Sequence, residues 1–271
     1  MKPPRHIVRR TSLPPNSTHP LVTPLMPSVV YGADSPDALD DMYEGRAPGY
    51  AYAREGHPNA DVLAAKIDRL EGAEGGLITG SGMAAVTAAL LPHLGPGDHV
   101  LASQDLYGRT LRLLSEEMPR LGIEVSYGDP TDAAAFAQAL QPNTKIVLIE
   151  TVSNPTLRVA DVPGIARAAK TAGALVVLDN TFTTPRAFQA FDHGADIVVH
   201  SVTKMLAGHS DTTLGYVGTR TPALRERMAD FAISTGLTPS PFDCWLAERG
   251  MHTFELRYDK AEANAAHIAD A

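Results

Sequence analysis

An α/β fold, built on a mostly parallel seven-stranded sheet flanked by helices, is predicted by three features of this 271-residue chain. Short runs rich in Val, Ile and Leu recur from about residue 60 onward. Stretches with helical spacing lie between them, and several close on glycine. The runs are apolar almost without interruption, as strands covered on both faces must be.

In order, the strand runs are GLIT, HVLA, IEVSY, KIVLIE, ALVVLD, ADIVVH and TLGYVG. Helical NADVLAAKIDRLEG precedes GLIT and GMAAVTAALLPHLG follows it; TLRLLSEEMPRLG, TDAAAFAQALQ and DVPGIARAAKTAG follow the next three strands in turn. Residues 49–238 contain this whole rhythm and are expected to form one large domain. Ahead of them, prolines at 3, 4, 14, 15, 20, 24 and 27 oppose an amphipathic helix. Residues 1–48 are therefore expected to be an extended arm lying on a neighbouring subunit. Residues 239–271 are expected to begin a further domain, because the sequence stops at HIADA inside a helical pattern with neither glycine cap nor proline.

Composition narrows the function classes. With 44% hydrophobic residues the chain can bury a full core. A net charge of -8 supplies no general attraction to nucleic acid or to an anionic membrane, so any anion must be held by a local site. Cys244 is the only cysteine, which excludes an intrachain disulfide and fits a reducing, cytoplasmic setting. No run reaches the roughly 20 apolar residues of a membrane span. No histidine pair has zinc spacing, and His200 and His209 read as structural.

In a parallel sheet, ligands gather at the carboxyl ends of the strands. Those ends carry GSGM at 80–83, DLYGRT at 105–110, ETVSNP at 150–155, DNTF at 179–182 and HSVTK at 200–204. Each has a plain reading. GSGM can be a tight turn, Asp179 a turn cap with Asn180 and Thr181, Tyr107 a scaffold aromatic, Asn154 a turn residue before proline, and Lys204 a solvated cation. Each also has a chemical reading. Gly82 and Met83 open a helix whose free amides suit a phosphate. Ser201 and Thr203 can add hydroxyls to that phosphate, Tyr107 can stack on a flat ligand, and a lysine of lowered pKa can form an imine with an aldehyde. Lys204 follows Asp179 by 25 residues, one strand-helix-strand unit, so the two can face one ligand. A lysine imine, a carboxylate at a ring nitrogen, a stacked aromatic and a phosphate cradle together match pyridoxal 5'-phosphate. A nucleotide-binding reading of GSGM lacks the P-loop lysine and the dinucleotide spacing.

VVLDNTF at 176–182 with HSVTKMLAGHSD at 200–211 resembles the cofactor site of the Cys/Met metabolism pyridoxal-phosphate enzymes, such as cystathionine gamma-synthase, cystathionine gamma-lyase and O-acylhomoserine sulfhydrylase. GYAYAREGHPNAD, EGAEGGLITGSGMAA, DLYGRT, ETVSNPTLRVADV and SPFDCWLAERGMHTFELR extend the resemblance in order. It implies a fold-type-I transferase in which Lys204 forms the internal aldimine, Asp179 pairs with the ring nitrogen and Tyr107 stacks on the ring. It further implies that Asn154 meets the ring hydroxyl, and that Gly82, Met83, Ser201 and Thr203 hold the phosphate. Tyr52 and Arg54 would reach the phosphate of a neighbouring subunit, in a homotetramer built as a dimer of dimers acting on small amino-acid substrates.

DLYGRT and SPFDCWL look like the gamma-acting members, and Arg109 stands where methionine gamma-lyases have a cysteine. Gamma-replacement or gamma-elimination on a homoserine ester or cystathionine is therefore expected, with cystathionine gamma-synthase-like activity first. Two departures are visible. His57 occupies a position where the family motif carries asparagine. The C-terminal small domain, source of the arginine that grips the substrate carboxylate, is expected to be largely absent, which leaves a catalytically silent scaffold as the alternative.

Overall fold

The computed structural model describes residues 17–270. All seven apolar runs form strands: β1 Gly75–Thr79, β2 His99–Ser103, β3 Glu124–Gly128, β4 Thr144–Glu150, β5 Leu175–Asp179, β6 Ile197–Ser201 and β7 Gly215–Thr219. They make one sheet in the order β1-β7-β6-β5-β4-β2-β3. Only β7 runs against its neighbours, pairing antiparallel with both β1 and β6. The expected mostly parallel, seven-stranded sheet is thus present.

The helices are α1 Pro36–Tyr43, α2 Pro58–Glu71, α3 Gly82–Leu90, α4 Gly108–Arg112, α5 Met118–Arg120, α6 Ala133–Ala137, α7 Val162–Thr171, α8 Thr184–Ala187, α9 Pro222–Thr235, α10 Pro241–Met251 and α11 Phe254–Ala269. The stretch TLRLLSEEMPRLG is not one α-helix: a π-turn at Leu113–Glu117 separates α4 from α5. Pro119 sits at the start of α5, where it lacks the N–H needed to continue the ladder from α4.

Strand alternation divides the core. Val100, Ile146, Leu148, Val177 and Val199 pack on one face with α3. Leu101, Val147, Ile149, Val176, Leu178 and Val198 pack on the other with Ile165 and Ala169 of α7. Both faces of the central strands are therefore dry, the physical reason their sequences show no polar alternation. A third cluster joins α2, β7 and α10, and takes in Val202, Leu206 and Ala207 just after β6.

The arm differs from the extended form expected. Within its described part, Pro36–Tyr43 forms α1, capped by Ser35, whose Oγ accepts from Ala38 N. Residues 23–31 lie on their own chain: Asn59 of α2 accepts from Met26 N at 2.9 Å and donates to Pro24 O at 3.0 Å. Trp245 Nε1 donates to Thr23 O at 2.9 Å. Residues 1–16 of the expected arm lie outside the described residues. No described helix is long and apolar enough to cross a membrane.

His57, the departure from the asparagine of the motif, caps α2. Its fully buried ring accepts from Ala60 N through Nδ1 at 3.1 Å. The proton therefore sits on Nε2, which faces Pro239 O at 3.2 Å. Imidazole thus offers one acceptor and one donor, as asparagine does, and burial lowers its pKa so that it stays neutral. His57→Ala should destabilise the fold by about 1–2 kcal/mol, a lost cap plus a lost hydrogen bond, and His57→Asn by much less. Urea unfolding midpoints of the two variants compare these costs directly.

Candidate active site

Three adjacent strand ends make the floor of the site. Glu150 ends β4 and Asp179 ends β5, and the two are direct register partners. Ser201 ends β6, two residues beyond the pairing of Asp179 with Val199. Thr181 ties these ends together. Its amide donates to Asp179 Oδ1 at 2.9 Å, and its Oγ1 accepts from Ser201 N at 2.8 Å. Burial pushes the Asp179 carboxyl pKa up, and the Thr181 hydrogen bonds and nearby His200 oppose that rise.

The start of α3 closes one side. Ser81 caps it, accepting from Ala84 N at 3.1 Å, and as first-turn residues Gly82 and Met83 have amides with no intrahelical acceptor. A Cβ at Gly82 would come within 2.8 Å of Ser201 Cβ and 3.0 Å of its Oγ. Only glycine allows this approach, which sets two free amides beside the Ser201 hydroxyl. That is a cradle of the size and polarity a phosphate needs. Thr203 stands nearby with its hydroxyl engaged by Leu214, donating to its carbonyl at 3.2 Å and accepting from its amide at 3.0 Å. Lys204 is exposed on the turn that follows.

Sequence reasoning missed the residue that organises the opposite side. Glu150 accepts from Tyr107 N at 2.7 Å through Oε1 and from Asn154 N at 3.3 Å through Oε2. One carboxylate thus orients two expected ring contacts from different loops. The Tyr107 side chain is left 46% exposed, and Asn154 is exposed as well. Burial first, and the Asp179 charge second, raise the Glu150 pKa to about 8. An available signal was its place: KIVLIE ends on an acid just as ALVVLD does.

Beneath the floor, His200 Nε2 bonds Glu71 Oε1, which also accepts from Asn180 Nδ2 at 2.9 Å. His209 Nδ1 donates to Ala207 O at 2.7 Å. His200 is thus buried in the scaffold, while His209 is exposed with one ring nitrogen held by the backbone.

Tyr52 and Arg54 lie elsewhere in this chain. The Arg54 guanidinium sits 5.3 Å from the Tyr52 ring centroid and donates to Ile233 O at 2.9 Å. Arg54 lines a cleft among α2, β1 and α9 with Gly56, His57 and Pro239. Lys204, Asp179 and Gly82 are not part of that cleft.

Residues 6–271 match the family model described as Cys/Met metabolism PLP-dependent enzyme, and the chain belongs to that family. Among its relatives, the cystathionine gamma-lyase of Bacillus subtilis is 42% identical over 83% of this chain and 59% of its own length. The cystathionine beta-lyase of the same organism is 41% identical over 82% and 56%. An O-acetylhomoserine (thiol)-lyase structure from Campylobacter jejuni, described as putative and holding N'-pyridoxyl-lysine-5'-monophosphate, superposes with a TM-score of 0.88 at 27% identity, covering 92% of this chain and 70% of its own. The cystathionine gamma synthase of Xanthomonas oryzae gives a TM-score of 0.81 at 37% identity, covering 87% and 59%. The chain therefore has the fold-type-I architecture and spans just under three fifths of the two Bacillus relatives. These relatives carry the names of lyases or synthases, so the silent-scaffold alternative draws no support from them. The beta- and gamma-lyase identities are too close to separate the two reactions.

Glu150 has a pH signature. The folded protein holds its proton more tightly than the unfolded chain does, with a pKa near 8 against an ordinary 4.5. Its contribution to stability is complete below about 4.5 and is lost as pH rises through 8. Cofactor-free Glu150→Gln should therefore show a flatter stability profile than the wild type between those values in urea titrations. Parallel profiles would show that the proton is not held there.

Proposed function

We propose that this chain catalyses gamma-replacement or gamma-elimination on a homoserine ester or cystathionine, as a pyridoxal-phosphate enzyme of sulfur amino-acid metabolism. The observation that carries the reading is the convergence of Asp179 and Ser201 at adjacent strand ends, with Gly82 packed against Ser201 and Lys204 on the turn immediately beyond. Lys204 would bond the cofactor aldehyde and Asp179 would face its ring nitrogen. Tyr107 and Asn154 would contact the ring and its hydroxyl, and Gly82, Met83 and Ser201 the phosphate, joined by Thr203 on turning its hydroxyl from the Leu214 carbonyl. When bound, the cofactor draws electrons from the substrate α-carbon.

The remaining work falls to the protein. Asp179, ionised against a positive ring nitrogen, keeps that withdrawal strong, which offsets the cost of burying the carboxylate. With substrate bound, Lys204 would be free to carry a proton between carbons. In replacement, the Cγ–O bond to the acyl group breaks and a Cγ–S bond forms, while the thiol proton leaves with the carboxylate. A cystathionine gamma-synthase-like reaction comes first, supported by DLYGRT and SPFDCWL. Cystathionine gamma-lyase and O-acylhomoserine sulfhydrylase activities are the alternatives.

Assembly as a cytoplasmic homo-oligomer, a dimer of dimers with shared sites, belongs to the same proposal. Its support is the distance in kind between two neighbourhoods. Tyr52 and Arg54 gather with α9, away from their own Lys204, and would act on a second subunit's phosphate.

Borohydride reduction of the loaded protein followed by peptide mass analysis should place the pyridoxyl group on Lys204; label elsewhere rejects the assignment. Purified protein given an O-acylhomoserine and cysteine should form cystathionine, whereas release of a 2-oxo acid alone marks elimination. The cradle has its own test. Gly82→Ala sets a methyl against Ser201 and should weaken pyridoxal phosphate by about tenfold or more while leaving phosphate-free pyridoxal nearly unaffected.

A further inference from the structure

The turn that bears Lys204 is gripped from outside the strand-end cluster. Ala207 N donates to Val202 O at 2.9 Å and Gly208 N to Lys204 O at 2.8 Å, so the turn is short and closed. The two carbonyls that follow Lys204 accept from one side chain of α11. Arg257 Nη1 donates to Met205 O at 2.7 Å, and its Nη2 to Leu206 O at 3.1 Å. Nη2 also reaches Gly250 O at 3.1 Å, and Nε reaches Thr253 Oγ1 at 3.2 Å.

Each of these acceptors is a neutral oxygen. A partly desolvated guanidinium held this way forgoes the Coulomb gain of a carboxylate partner. What it provides instead is geometry, because its planar fork sets two successive carbonyls at once. The surroundings are shaped to it. A Cβ at Gly208, where φ is +76°, would fall on the guanidinium, and a Cβ at Gly250 would fall on Ala207 O. The corner between α10 and α11 is moulded onto the turn.

We infer that Arg257 is a positioning residue for Lys204: by fixing the carbonyls of Met205 and Leu206 it sets the direction in which the lysine leaves the turn. The inference rests on Lys204 being the cofactor-bearing lysine.

The test uses Arg257→Lys, which keeps the charge and loses the fork, Arg257→Ala, and Gly208→Ala, which displaces the guanidinium by an independent route. Arg186→Ala, which removes an exposed ion pair between α8 and Asp259 of α11, is the control. Each variant is held at a temperature where circular dichroism shows it folded, and is titrated with pyridoxal phosphate and with pyridoxamine phosphate. The second has no aldehyde for Lys204 to bond. The Arg257 and Gly208 variants should bind the aldehyde form about tenfold more weakly and the amine form as the wild type does. In cofactor-free protein, hydrogen exchange at the Ala207 and Gly208 amides should quicken by about tenfold. The control should change neither. Equal weakening of both cofactor forms, or unchanged aldehyde binding in Arg257→Lys and Gly208→Ala, overturns the inference. Absence of a lysine-bound absorption band in the wild type would instead sink the Lys204 assignment, and this inference with it.

Discussion

Burial of β4, β5 and β6 on both faces confines their polar residues to the strand ends, and the rest of the site depends on that constraint. Ile146 through Ile149, Val176 through Leu178 and Ile197 through Val199 are all sealed between helices. A polar side chain within those stretches would face a desolvation cost with no partner. Glu150, Asp179 and Ser201 therefore fall at the last position of each strand, and parallel pairing brings them into line.

Such an alignment sets two carboxylates side by side. Burial raises both carboxyl pKa values, and for Glu150 the neighbouring Asp179 charge adds to the rise. Their hydrogen bonds divide the labour: Glu150 takes two backbone amides and so fixes loops, while Asp179 accepts from the Thr181 amide at the strand end. A cation arriving over Asp179 would relieve the electrostatic conflict.

Much of this was legible in the residues. Unbroken apolar runs disclosed all seven strands, and the polar clusters after them marked the loops that carry Lys204, Asp179, Tyr107, Asn154 and Gly82. Glu150 escaped because its work is done on backbone amides of Tyr107 and Asn154, and no motif letter records an amide. Arg257 escaped for a similar reason. Its partners are carbonyls some fifty residues away in sequence, and α11 reads locally as a surface helix. His57 looked like a bare departure from asparagine until its two ring nitrogens were seen to meet Ala60 and Pro239.

By itself the sequence determined the α/β class, the strand positions and the chemical types at the strand ends, because periodicity and glycine placement are local properties of the chain. Only the tertiary structure decided that β7 runs antiparallel between β1 and β6, that one glutamate orients two loops, and that α11 grips the turn bearing Lys204. Each of these is a contact between residues far apart along the chain, set by how buried faces pack, and no local pattern encodes it.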